Sequence, residues 1–554
     1  MKFLQLPEFL EEVFKYLDNK SLYRCLFVNR FWSQNVIGIF WRNPFRNYSH
    51  FTEESYINII EIYVACLPDA TRNKLFINNN VESITLETPI FNYASYLRHL
   101  EFTIIYKLIE RWISRKFKNY LNRRINYDLE NNIFREIWKM LMTQCSPFKS
   151  IAMISLDHRG FNELISNPDD LFISTINNKL FERLDLFHSY CIPSEIINRF
   201  TQISTQFTKL RITTTTTTTT NLDENKNSGM DLLLSLQKNL KNVAMINCSN
   251  LSKILQILNE KHSSSLIELT IEEKEFDLSW NEVIEPIVFF NYNNLQILKI
   301  ISSAPVFSSH ILDKLLYTSY KHLVILDLEI HSPHIKQFIK LIENTNGNLV
   351  HLRLFWYYHK DPENIMNLTL SLTQYCTKLT LLIYKLSKET IHLLPTIFES
   401  LNLLIDATFY NASNDATHVY NLETILPECG MLLPLTLKYL GLSLIWKISS
   451  KGLEKFFKNA EKMNIKDLYL STDCLNEDDL IKEEFQDIFD HYVNKGVGTF
   501  KPVRVGMKPE KFFSRDIKID DTHRIKRTPL CDYCENEFSL EVEGNSGTSG
   551  IYQS

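Results

Sequence analysis

Apolar positions follow two rhythms along this chain. In the first 45 residues they recur at helical spacing. Leu10, Val13, Phe14 and Leu17 form one stripe behind Pro7, which suits the first turn of a helix. Asp18-Asn19-Lys20-Ser21 breaks the stripe and offers N-caps, and Leu22, Cys25 and Leu26 begin a second one. Asn29 can cap a third helix carrying Phe31, Trp32, Val36 and Ile37, with Phe40 and Trp41 following before Pro44 stops it. Three helices of this size enclose little interior. The apolar surface left over is larger than a soluble monomer normally exposes. On periodicity alone two readings stay open: a partner covers that surface, or later residues of the same chain do.

The second rhythm is a short motif, Lxx-L-x-L, written with interchangeable apolar residues. It runs from FERLDL (181–186) and FTKLRI (207–212) through LKNVAM (240–245), LIELTI (266–271), LQILKI (295–300) and LVILDL (323–328). It continues with LVHLRL (349–354), LTLLIY (379–384), LKYLGL (437–442) and IKDLYL (465–470). Start-to-start distances are 26 to 33 residues, apart from one double interval of 58 in which LNLLID (401–406) is a degenerate candidate. Between the motifs lie helical patterns such as LSKILQILNE, HIKQFIKLIE and GLEKFFKNAEKM. A short strand followed by a helix at this period is the signature of a leucine-rich-repeat solenoid. One unit cannot bury both its strand and its helix, whereas stacked units share a continuous core. The alternative is an irregular α/β domain with coincidental leucines. The expected fold is therefore α/β: a three-helix N-terminal unit over 1–45, a helical connector with irregular early repeats over 46–147, and a solenoid over 148–498. The solenoid has a curved parallel sheet inside and helices outside.

Within the connector, VESITL (81–86), LRHLEF (97–102) and FKSIAM (148–153) resemble the motif, but their spacing fails. Residues 106–125 read as one amphipathic helix with Ile109, Trp112, Ile113, Phe117, Tyr120 and Leu121 on its apolar side. Lys107, Arg111, Arg115, Lys116, Lys118, Arg123 and Arg124 make its other side basic. Eight threonines, 213–220, read as a floppy insertion in one repeat. The periodicity stops near residue 500, and 499–554 reads as a disordered tail.

Composition narrows the function. A net charge of −5 over 554 residues gives no global pull toward nucleic acid or an anionic membrane. Most of the ten cysteines are isolated, which suits a reducing, intracellular compartment, cytoplasm or nucleus, rather than a disulfide framework. No run approaches the length of a membrane span, and Glu8, Glu11 and Glu12 interrupt any secretory signal. Cys531 and Cys534 have zinc-ligand spacing with His523 upstream, but a closed site takes four ligands and no second pair lies nearby. No phosphate-binding loop, nucleophile elbow or HExxH helix is present. No catalytic residue, metal or cofactor is expected.

The N-terminal residues Leu6-Pro7, Val13-Phe14, Leu17, Ser21-Leu22, Cys25, Val28-Asn29, Trp32 and Trp41 resemble an F-box. The resemblance implies docking onto a Skp-type adaptor, which links the chain to a cullin carrying a ubiquitin-conjugating enzyme. It implies that Leu6, Pro7, Leu10, Val13, Phe14 and Leu17, with Leu22, Val28 and Trp32, face that adaptor. The repeats would then hold a protein target. Strand side chains alternate, so His351, Arg353 and Phe355 are expected on the open sheet face, with Tyr439, Asp467 and Tyr469. Exposed aromatics and arginine are favoured at binding hot spots. The competing expectation is that these rings pack against neighbouring strands or a C-terminal cap. Two rival functions remain: an F-box scaffold or sequestering protein without a ubiquitination role, and a nucleic-acid-binding solenoid using the basic helix 107–124.

The pattern makes one prediction about the chain itself. Limited proteolysis should cut within 213–229 and beyond about residue 500, leaving the repeat array intact, because those segments lack the periodicity needed to dock. Protection of the threonine run would show that it is packed.

Overall fold

A computed structural model of the chain describes residues 7–14, 16–17, 19–45, 53–78, 86–117, 123–154, 180–181, 184–190, 194–213, 228–248, 251–273, 292–302, 318–330, 335–356, 362–411, 420–443, 446–463, 468–472, 487–488, 490–492, 498–502, 517–519 and 525–527. The chain divides into two units, Met1–Phe181 with Lys508–Ser554, and Glu182–Met507. The threonines 214–220, the Cys531/Cys534 pair and most of VESITL lie outside the described residues. In the segment expected to be a tail, Ile517–Ile519 pairs antiparallel with Ile525–Arg527.

The first unit begins with α1 (Pro7–Phe14), α2 (Asn19–Cys25) and α3 (Arg30–Phe40). Leu10, Phe14, Leu22 and Val36 are their shared core. Asn29 caps α3 as its position suggested, accepting a 2.8 Å hydrogen bond from the Trp32 amide. Gly38 does not end α3. Trp41, at its C-terminus, packs on Tyr63 of α4 (Glu53–Ala65) and on Tyr93, with ring centroids 5.6 and 4.4 Å away. After α5 (Asp69–Asn78) come β1 (His99–Glu101), α6 (Phe102–Lys116), α7 (Arg123–Gln144) and β2 (Ser150–Ile154). β1 and β2 pair in parallel, His99 opposite Ser150. The motifs LRHLEF and FKSIAM are thus strands after all. Their spacing fails because two helices stand between them instead of one.

The single helix expected over 106–125 is a helix that starts earlier and ends sooner. Its apolar residues Ile104, Ile105, Leu108, Ile109, Trp112 and Ile113 are buried, and Phe117 leaves the helical conformation. Tyr120 and Leu121 lie outside the described residues, and Arg123 and Arg124 belong to α7.

In the second unit, β3 (Leu186–Tyr190), β4 (Lys209–Thr213), β5 (Asn242–Ile246), β6 (Glu268–Glu273), β7 (Ile297–Ser302), β8 (Ile325–Ile330), β9 (His351–Trp356), β10 (Leu381–Leu386) and β11 (Asp406–Asn411) hydrogen-bond in chain order. The two-residue strands β12 (Tyr420–Asn421) and β14 (Trp446–Lys447) pair with each other. The main series continues through β13 (Tyr439–Ser443), β15 (Leu468–Thr472) and β16 (Gly498–Pro502). These twelve main strands form an open, parallel sheet. Helices connect many of them, as parallel crossovers require.

Register explains the motif. The central apolar residues stack strand on strand: Leu269 opposite Leu298, then Leu326, Leu352, Leu382, Ala407 and Leu440. All of them are buried. Most strands start two residues into their motif. Two motifs slide by three residues to keep this rule. The fourth repeat from the end uses Leu404, Ala407 and Phe409 rather than LNLLID, and the first uses Leu184 and Phe187 rather than FERLDL. In both places apolar residues three apart made two readings equal, and pairing with the neighbouring strand decides between them. Polar side chains staple one repeat to the previous one. Gln237 accepts from the Phe207 amide at 2.9 Å, His262 Nε2 meets the Leu234 carbonyl at 2.8 Å, and Asn459 donates to the Pro427 carbonyl at 2.9 Å.

Glu130 is a test of the first unit. It is buried on α7, and burial, then the like charge of Glu110, pushes its carboxyl up to about 7. Its pKa is higher folded than unfolded, so its contribution is complete below about pH 4.5. That contribution falls as pH rises through about 7. Glu130→Gln should flatten the decline of thermal stability between about pH 5 and 8, an effect on the order of 2 kcal/mol. An unchanged pH profile would remove the burial argument.

Candidate functional site

α1 is apolar on two sides, and only one side can turn inward. Leu10 and Phe14 do so, and Phe14 meets Trp32 edge-on with centroids 5.3 Å apart. The other side leaves Phe9, Val13 (39% exposed) and Tyr16 in solvent, at helical spacing. α2 divides the same way. Leu22 is buried, whereas Tyr23 and Phe27 (72% exposed) stack edge-on at 5.1 Å and stand outside, followed by Val28 (56% exposed). These exposed apolar side chains are contributed by helices whose cores are already filled. Exposed Pro7 starts α1, and the Arg42–Glu11 ion pair at 2.5 Å ties α1 to the residues after α3.

Residues 3–36 match the family model of the F-box domain. The chain carries an F-box. No curated protein matches the chain. F-box domains dock Skp-type adaptors and are typically non-catalytic.

Of the nine residues assigned to the adaptor, the structure places Leu10, Phe14 and Leu22 inside the F-box, where they hold its helices together. Leu17 and Trp32 are half-buried against that core. Pro7, Val13 and Val28 are exposed, and Leu6 lies outside the described residues. Phe9, Tyr16, Tyr23 and Phe27, exposed as well, were not among the nine. The signal for them was present: a helix of eight residues with four large apolar side chains cannot bury them all.

On the sheet, the face opposite the leucine ladder carries the other candidates. Register aligns Lys299, Asp327 and Arg353 on consecutive strands. Arg353 bridges Asp327, at 3.1 Å, and Glu329. Lys299 reaches Glu268 at 3.6 Å. Burial pushes the Asp327 carboxyl up, against the opposing pull of Arg353 and Lys299. Phe355 lies under the Lys385 ammonium, 4.0 Å from the ring centroid, and meets Tyr410 edge-on at 5.6 Å. Burial lowers the Lys385 amine to about 8, opposed by Glu329, and its Nζ donates to the Trp356 carbonyl. His351 is buried. Trp356, the last residue of β9, is fully buried against Tyr384. Tyr439 is half-buried, with Tyr469 opposite it in register, and Asp467 lies outside the described residues. Arg353 and Phe355 are therefore engaged within the sheet. Sequence spacing could not show this, because their partners are 24 to 55 residues away.

The basic side of α6 is also occupied. Lys116 pairs with Glu61 at 3.0 Å, and Lys107, Arg111 and Arg115 all have partners. Among the described residues no group of histidine, cysteine or carboxylate side chains could hold a metal ion, and no helix is long and apolar enough to cross a membrane.

Arg353 should matter for stability. Arg353→Ala removes the cation that bridges Asp327 and Glu329, leaving the more distant Lys299 and Lys385, which should cost about 3 kcal/mol in chemical denaturation. The deficit should shrink as pH falls and Asp327 takes up a proton. A neutral effect at pH 7 would mean the bridge is not maintained in solution.

Proposed function

We propose that this chain is the substrate-recognition subunit of a Skp–cullin–F-box ubiquitin ligase. The observation that carries the reading is the F-box match over 3–36 on helices that keep a second apolar side exposed. Those exposed residues, Phe9, Val13, Tyr16, Tyr23, Phe27 and Val28, supply aromatic and aliphatic anchors of the kind that dominate protein interfaces. The strand-and-helix array is read as a leucine-rich-repeat solenoid, whose sheet face holds a protein target in its C-terminal half, where Arg353 and Phe355, paired within the sheet but still partly accessible, line the surface with Tyr439 and Tyr469. The in-register leucine ladder supports that reading. The chain contributes position rather than chemistry: a tethered target meets the charged conjugating enzyme at raised effective concentration.

The test is affinity purification with mass spectrometry, comparing the wild type with a Val13→Asp, Val28→Asp variant. Both positions are exposed, so the F-box should stay folded. The buried carboxylates at the interface should abolish recovery of adaptor and cullin. Targets bound by the repeats should remain and should lose their ubiquitin. Undiminished adaptor recovery would remove the docking surface. Targets that never carry ubiquitin even with the wild type would favour a sequestering protein.

A further inference from the structure

The helix Ser450–Lys462 buries Leu453, Phe456, Phe457 and Ala460 and presents its other side to solvent. Four exposed lysines stand on that side, Lys451, Lys455, Lys458 and Lys462, at successive spacings of four, three and four residues. That spacing keeps them on one stripe along about 16 Å of helix. Two glutamates share the helix, Glu454 and Glu461, three or four positions from these lysines, the spacing at which helical ion pairs form. Yet no ion pair or hydrogen bond to any described residue holds any of the four lysines. Some lysines elsewhere are engaged, Lys139 with Glu136, Lys253 with Asp231 and Lys340 with Glu343. The glutamates instead lie toward Tyr492, whose ring stacks on Phe457 at 5.1 Å; burial and then their charges raise its hydroxyl. One helix has thus separated its charges, acids on the Tyr492 flank and uncompensated lysines along the outside.

We infer that this lysine stripe docks an acidic segment of a partner protein, one that presents a carboxylate about once per helical turn. Charge complementarity identifies the occupant. The stripe holds only lysines, compact point charges, with no arginine fork and no exposed ring between them on which a base could stack. A phosphate backbone running across the helix would meet Glu454 and Glu461. A membrane surface would find one exposed apolar side chain beside the stripe, Met463, which is too little to insert. An acidic helix or strand of matching length pairs with the lysines and passes the glutamates by. The inference stands whether or not the F-box docks an adaptor.

The experiment is fluorescence anisotropy on the full chain at about 50 mM salt, with an alanine-based helical peptide carrying glutamates at the same spacing as the lysines. A lysine-bearing version of that peptide and a single-stranded oligouridylate serve as the other probes. The glutamate peptide should bind. The quadruple Lys451→Gln, Lys455→Gln, Lys458→Gln, Lys462→Gln variant, which keeps the helix, should lose at least about tenfold in affinity. The corresponding Lys→Glu variant should bind the lysine peptide instead. Failure of the wild type to bind the glutamate peptide, or equal binding by the glutamine variant, overturns the inference. Tighter binding of the oligouridylate than of the peptide overturns it in favour of a nucleic-acid surface.

Discussion

A strand and a helix of a few turns cannot bury both of their apolar sides against each other, and this constraint shapes the second unit. Its solution is in-register stacking. Leu269, Leu298, Leu326, Leu352 and Leu382 lie opposite one another in successive strands, so each repeat completes its neighbour's interior. A slip of one residue would turn every leucine to the opposite face. The same register aligns the side chains of the other face, and it is why Lys299, Asp327 and Arg353 form an alternating column. The buried staples from Gln237, His262 and Asn459 follow from it too, because carbonyls enclosed by the stacking need partners.

The F-box meets the same constraint at a smaller scale and resolves it differently. Its three helices fill one core with Leu10, Phe14, Leu22 and Val36, and among the described residues none covers Val13, Phe27 or Val28. An array hides its apolar surface by repetition. A three-helix unit cannot do so by repetition. That contrast is why the exposed residues of the F-box, rather than its most apolar ones, carry the adaptor proposal.

Much of the fold was legible in the sequence because both rhythms are local. Most strands begin two residues into their motif, and Asn29 caps α3 where its spacing suggested. Where leucines repeat three apart, as at Leu401 and Leu404, local pattern gives two answers and the neighbouring strand chooses. The candidate sites were less legible. An eight-residue helix with apolar side chains on both sides does not say which side is inward, so Leu10 and Phe14 were assigned outward together with Val13. Arg353 and Phe355 read as free anchors because Asp327, Glu329, Lys385 and Tyr410 lie on other strands. The basic run on α6 read as a surface, whereas a stripe of lysines unpaired among the described residues is on Ser450–Lys462. Each helix carries four basic side chains, and the position of carboxylates in space separates them.

The central claim is that the F-box buries its exposed apolar side chains on a Skp-type adaptor. Titration calorimetry of the purified chain against purified adaptor at several temperatures tests it most directly. Burial of Phe9, Val13, Phe27 and Val28 predicts saturable one-to-one binding with a clearly negative heat-capacity change. Absence of binding, or binding whose enthalpy does not change with temperature, would contradict the account.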